Sequence, residues 1–175
     1  MMSADVRKIH FVGVGGVGTG SLAVALARAG YQVTGSDNAL YEPMKSVLAA
    51  ASIEMVEGFS AQTRERFSPD VAIIGNVVRR DNPEAKAWLQ SGTPFLSFPE
   101  AVRSFVIQDR RSVVCAGTHG KTTTTSWTAF LFQELGMKPS YLIGGVPRDL
   151  PTGCHIDAGG QVFVGEGDEY DSAFF

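Results

Sequence analysis

Two glycine-rich stretches carry residue types that can hold phosphate. Gly13-Val14-Gly15-Gly16-Val17-Gly18 has G-x-G-x-x-G spacing, and it sits between an apolar run (Ile9–Val14) and a helical pattern (Gly16–Ala29). In such a loop Gly13 permits a tight turn, Gly15 lets a diphosphate approach the backbone, and Gly18 lets the helix pack close to its sheet. Exposed N–H groups and the helix dipole then bind the phosphates. Asp37 follows Gly18 by 19 residues, where a carboxylate can accept bonds from ribose hydroxyls. NAD, FAD and UDP-sugars all fit this motif. The second stretch, Gly117-Thr118-His119-Gly120-Lys121-Thr122-Thr123, follows a β-branched run and opens a helix. It has the form of a phosphate cradle: Lys121 for the β/γ-phosphates and the Thr122 hydroxyl for Mg²⁺. Cys115 stands where the general form of that loop has its first glycine, with Gly117 two residues later.

A third cluster is acidic. Gln161–Gly165 reads as an apolar strand running into Glu166-Gly167-Asp168-Glu169-Tyr170-Asp171. Carboxylates crowded at a strand end repel one another unless a cation is near, and beside a phosphate loop a carboxylate can hold Mg²⁺. Glu166, read as the first residue past the strand, is the expected metal acid. His119 is read as shaping the loop, and Cys115 as a small buried hydrophobe.

These residues need elements to position them. Strand patterns at Ile9–Val14, Tyr31–Gly35, Ile53–Val56, Val71–Asn76 and Phe95–Phe98 alternate with helical patterns at Gly16–Ala29, Pro43–Ala51, Asn82–Gln90 and Pro99–Gln108. Alternation with short connections predicts an α/β fold with a parallel, Rossmann-like sheet. A second unit begins with the strand Ser112–Ala116 and the helix Lys121–Leu135, followed by strands at Tyr141–Ile143 and Gln161–Gly165. Three strands and one long helix cannot cover both faces of a parallel sheet, so this unit is expected to be incomplete. The expected domains are 1–109, a nucleotide-binding domain, and 110–175, the opening of a P-loop ATPase α/β domain.

Composition narrows the classes. The chain has 175 residues, a formal net charge of −3 and 20 glycines, clustered rather than spread. No Lys/Arg run exceeds two residues, which argues against a nucleic-acid footprint. Two cysteines in unlike contexts give neither a disulfide framework nor zinc spacing. No apolar run approaches about 20 residues and the N-terminus has no signal-peptide core, so a cytoplasmic protein without a membrane span is expected.

Two nucleotide loops in one short chain form a narrow combination. The sequence resembles the Mur ligases, ATP-dependent amino-acid ligases of peptidoglycan synthesis. The resemblance is carried by His10-Phe11-Val12-Gly13-Val14-Gly15-Gly16, Gly35-Ser36-Asp37, Asp81-Asn82-Pro83-Glu84, Ala116 through Thr124, Gly144-Gly145 and Glu166-Gly167-Asp168-Glu169. Thr19, Ser21 and Gly167 depart from the usual family residues without removing a proposed ligand. The resemblance implies that the first domain holds UDP-N-acetylmuramate, with Gly13, Gly15, Gly16, Val17 and Gly18 on the diphosphate and Ser36, Asp37 and Asn76 near the uridine. It implies that Gly117 through Thr123 bind ATP, that Thr122 and Glu166 hold Mg²⁺, and that Lys121 and Glu166 are catalytic. The implied reaction forms an acyl phosphate on the sugar's carboxylate, which an amine then displaces. Two family activities compete for the amine. One adds L-alanine; the other, in cell-wall recycling, adds the tripeptide L-alanyl-γ-D-glutamyl-meso-diaminopimelate. Ile73-Ile74-Gly75-Asn76, Ile143 through Pro147 and Glu169 through Phe175 look more like the second. The family's later ATP and metal residues and its amine-binding domain have no counterpart in this sequence, so the chain by itself is expected to be inactive. Two other readings remain: an NAD-dependent oxidoreductase, which leaves Lys121 and the acidic cluster unused, and a non-catalytic UDP-sugar-binding module.

Overall fold

The computed structural model describes residues 6–79 and 81–167. The chain divides into two compact units between Ala101 and Val102, eight residues before the boundary after 109 expected from the sequence.

In the first unit, β1 (Lys8–Val12), β2 (Gln32–Asp37), β3 (Glu54–Glu57), β4 (Val71–Ile74) and β5 (Phe95–Ser97) form one sheet in the order β3-β2-β1-β4-β5. Every pairing in it is parallel. Ile9, Phe11 and Val12 of β1 are all fully buried, as a central parallel strand covered on both faces requires. Between the strands lie α1 (Val17–Arg28), α2 (Met44–Ala50), α3 (Thr63–Phe67) and α4 (Pro83–Gln90); α5 (Phe98–Ala101) follows β5. Helix α1 ends where Gly30 takes a left-handed φ of 98°, which lets the Tyr31 N–H reach back to the Leu26 carbonyl and satisfy an orphan acceptor. Helix α4 begins with Asn82, whose side-chain oxygen accepts from the Glu84 and Ala85 N–H groups, and with Pro83, whose missing N–H costs nothing at a first turn. Chain order reverses direction between β1 and β4, which leaves a crevice at their carboxyl ends.

In the second unit, a π-helical segment, Val102–Ile107, leads into β6 (Arg111–Ala116) and α6 (Lys121–Glu134). Then come β7 (Ser140–Leu142), β8 (Cys154–His155) and β9 (Val162–Gly167). The sheet order is β6-β9-β7-β8. Its core gathers Ala129, Tyr141, Ile143, Leu150 and Val164. In α6 the Thr125, Ser126 and Thr128 hydroxyls donate to the carbonyls four residues back, which satisfies them within the helix.

Several expectations change. Helix α3 and strand β8 carried no readable signal, and β8 pairs antiparallel with β7, so the second sheet is mixed. The helix expected over Pro99–Gln108 is a single α-turn followed by the π-helical segment. Cys115 is only half-buried, because β6 is exposed along much of its length; the fully buried cysteine is Cys154. Burial pushes the Cys154 thiol up to about 12.

Candidate functional site

The first glycine loop leaves β1 at the crevice. Gly13 has φ 86°, and a Cβ there would come within 2.9 Å of Val78. The Gly13 and Val14 N–H groups both donate to the Ser36 carbonyl, which pins the turn to β2. Thr19 Oγ1 donates to the Gly13 carbonyl and holds the turn from the helix side. Gly16 is the extended N-cap of α1, Val17 its first residue, and Gly18 faces the Phe98 ring, where a Cβ would be 3.3 Å away. The first amides of any helix lack an intrahelical acceptor, so this end of α1 presents donors.

Asp37 is the last residue of β2 rather than one past it. Its carboxylate accepts from the Gly15 N–H at 2.7 Å and from the Asn38 N–H at 2.7 Å. Gly15 is therefore engaged with Asp37, and a diphosphate has the amides from Gly16 onward. Ser36 is fully buried; its hydroxyl has no hydrogen-bond partner among the described residues. Asn76 lies exposed in the turn after β4. A cleft of about 480 Å³ opens beside this loop, lined by Gly13, Asp37, Phe59, Val78, Arg79 and Asn82. Ser36 and Asn76 are not among its lining residues.

The second loop connects β6 to α6. Gly117 and Gly120 have φ 152° and 76°, values an L side chain rarely adopts. Lys121 folds its ammonium back onto the Gly117 carbonyl at 2.8 Å, across the concavity of the loop. Thr118 and His119 are exposed, with His119 Nδ1 3.3 Å from Thr118 Oγ1, and Thr123 is exposed in the first turn of α6. The parallel pairing of β6 with β9 sets Glu166 opposite Cys115. Glu166 thus lies within β9, not past its end. Its Oε2 accepts from the Thr122 hydroxyl at 3.1 Å, and its Oε1 accepts from the Gly144 N–H at 2.7 Å. A hydroxyl and a carboxylate converge at the start of α6, and hard oxygen donors of this kind suit Mg²⁺. Asp168, Glu169, Tyr170 and Asp171 lie outside the described residues. A larger cavity of about 910 Å³ lies at the other end of β6, around Arg110, Lys138 and Gly160, and no predicted site residue lines it.

Sequence reasoning passed over a polar cluster beneath the first loop. His10 on β1 and Glu84 on α4 are both fully buried and sit 2.9 Å apart. The readable signal was an ionisable residue on an apolar strand together with a capped helix start carrying an inward-facing acid.

Residues 8–110, more than half of the chain, match the family model described as Mur ligase family, catalytic domain. The chain belongs to the Mur ligase family. It is 40% identical over 168 residues to the UDP-N-acetylmuramate–L-alanyl-γ-D-glutamyl-meso-2,6-diaminoheptandioate ligase of Escherichia coli (strain K12), covering 96% of this chain and 36% of that protein. It is 37% identical over 177 residues to the UDP-N-acetylmuramate–L-alanine ligase of Saccharopolyspora erythraea, covering 99% of this chain and 35% of that one. This Mur-family chain also superposes on the crystal structure of a UDP-N-acetylmuramate:L-alanyl-γ-D-glutamyl-meso-diaminopimelate ligase from Neisseria meningitides. The TM-score is 0.88 and the identity 38%, covering 97% of this chain and 55% of that one. The chain thus spans little more than a third of the length of the two sequence relatives. No helix among the described residues is long and apolar enough to cross a membrane.

Proposed function

We propose that this chain is the nucleotide-binding part of an ATP-dependent ligase that joins L-alanyl-γ-D-glutamyl-meso-diaminopimelate to UDP-N-acetylmuramate. Residues 1–109 would form its UDP-sugar domain and residues 110–175 the opening of its ATPase domain. The observation that carries this reading is the pairing of two different phosphate loops in one Mur-family chain, each leaving the carboxyl end of a parallel strand. An oxidoreductase would leave Lys121, Thr122 and Glu166 without a task.

In this reading Gly16, Val17 and Gly18 present amides and the α1 dipole to the diphosphate, with Gly13 and Gly15 keeping the turn flat enough for it to approach. Asp37 fixes the Gly15 end of the loop and, with Ser36 beside it on β2 and Asn76 in the turn after β4, marks the uridine side. At the second loop the amides of Gly117 through Thr123 surround the phosphates of ATP. Lys121 exchanges the Gly117 carbonyl for phosphate oxygens and neutralises charge as the γ-phosphoryl leaves. Thr122 and Glu166 would hold Mg²⁺, which when bound screens the phosphate charge. The sugar's carboxylate attacks the γ-phosphorus and expels ADP; the amine then attacks the acyl carbon and expels phosphate. Positioning two anions is the main physical demand, and both loops are built for it.

Calorimetric titration of the chain with UDP-N-acetylmuramate, and separately with NAD, tests the first site. The proposal expects saturable binding of the UDP-sugar and none of NAD; the reverse pattern would overturn it. Identity to an L-alanine ligase runs close behind that to the tripeptide ligase, so the amine is decided by presenting each to the full-length enzyme with ATP and following phosphate release.

A further inference from the structure

The buried cluster beneath the first loop joins three separate segments. His10 lies between the Phe67 and Trp88 rings, with centroids 5.2 and 5.6 Å away. Its Nδ1 meets Thr34 Oγ1 of β2 at 2.8 Å, and its Nε2 meets Glu84 Oε1 at 2.9 Å. Glu84 Oε1 also accepts from Trp88 Nε1 at 3.4 Å, and its Oε2 accepts from the Ser60 N–H at 3.4 Å. Ser60 follows Phe59, which forms one wall of the 480 Å³ cleft. Glu84 itself sits in the first turn of α4, directly after Asn82 and Pro83, which also line the cleft. His10 belongs to the strand that delivers Gly13 to the cleft floor. One carboxylate therefore links the strand that carries Gly13 to two other segments of the cleft lining, those of Phe59 and of Asn82 with Pro83.

Apolar side chains of equal volume could fill the same core at similar or lower cost, because burying polar groups carries a desolvation penalty. What apolar side chains could not do is fix three segments by directed bonds to two oxygens. We propose that Glu84, oriented by His10, is a positioning residue that sets the spacing of the cleft walls, and through it the affinity for the UDP-sugar. The effect on affinity rests on the proposal that the first loop, which shares Gly13 with this cleft, takes that nucleotide. The Glu84 oxygens accept from Nε1 of Trp88 and from the Ser60 amide, with Nε2 of His10 2.9 Å from the first of them. Glutamine keeps the volume and one acceptor oxygen but turns an NH₂ toward one of those donors, so one wall comes loose.

The test compares Glu84→Gln with Leu48→Ala, a change at a fully buried position on α2 that does not line the cleft. UDP-N-acetylmuramate affinity, Tm and amide exchange are measured on each. Glu84→Gln is expected to weaken binding tenfold or more, with exchange accelerated at residues 59–62 and 81–85. Leu48→Ala is expected to lower Tm at least as much, leave affinity within twofold, and leave those amides unchanged. Should Glu84→Gln not fold, Glu84→Asp keeps both carboxyl oxygens but withdraws them by one methylene, and a smaller loss in the same direction is expected. Binding within twofold of wild type in the glutamine variant, or an equal loss in Leu48→Ala, overturns the proposal. If the unaltered chain does not bind the UDP-sugar, the nucleotide reading has failed. The exchange pattern then decides the positioning role alone, and unchanged exchange at both walls overturns it.

Discussion

Lys121 bridges its own loop, its ammonium donating to the Gly117 carbonyl at 2.8 Å. In the proposed complex phosphate oxygens replace that carbonyl, so that the ammonium faces an opposite charge instead of a neutral dipole. Lys121→Ala should weaken ATP binding tenfold to a hundredfold in a calorimetric titration while leaving UDP-sugar binding unaltered. The two thiols give a second residue-level test. Cys154 is fully buried with its thiol pushed up to about 12, whereas Cys115 is half-buried. At pH 8 a thiol reagent should modify one cysteine per folded chain, at Cys115, and both only after unfolding, as read by mass spectrometry. Much of the site is legible at this scale, since Gly13, Gly18, Lys121 and Thr122 stand where motif spacing puts them. The partners of Asp37 and the His10–Glu84 pair are not legible, because a carboxylate's target depends on which strands become neighbours.

Helices and strands make predictions of their own. Asn82 Oδ1 accepts from two first-turn amides of α4, and removing such a cap costs about 1 kcal/mol. Asn82→Ala should lower stability in urea denaturation by that amount. Asp70, just before β4, accepts from the Arg7 and Lys8 N–H groups at the start of β1. The two backbone bonds, with the nearby cations adding to them, hold its carboxyl below the ordinary 3.8. A depressed folded pKa means that its stabilisation is fully present above the unfolded value and is lost as pH falls through the folded one. The deficit of Asp70→Asn relative to wild type should therefore be constant above about pH 5 and vanish toward pH 2. Its size should not exceed about 0.5 kcal/mol, since the group is exposed and screened. Long apolar-periodic elements such as α1 and β1 were readable in the sequence. Helix α3, five residues of Thr-Arg-Glu-Arg-Phe, has no apolar period to read, and the two residues of β8 become a strand only by pairing with β7. Strand β9 continues through Glu166 because β6 supplies hydrogen-bond partners as far as Gly167, a pairing that residue polarity alone does not announce.

For the whole molecule, two compact units each carrying one of the glycine-rich loops proposed to hold phosphate would give two separately addressable sites. A ligand that binds only the folded state stabilises by about 2.7 kcal/mol at a hundred times its Kd, and the protection concentrates on the amides it touches. Length and alternating patterns made a two-unit α/β chain foreseeable. The break at Ala101 was not, because the π-helical segment that opens the second unit looks in sequence like the continuation of a helix. The central claim, that one Mur-family chain holds a UDP-sugar on its first loop and ATP on its second, is tested most directly by amide hydrogen exchange of the chain with each nucleotide. UDP-N-acetylmuramate should protect residues 13–18 and leave 117–123 unchanged, and Mg-ATP should do the opposite. Protection of both loops by ATP, or of neither by the UDP-sugar, would contradict it.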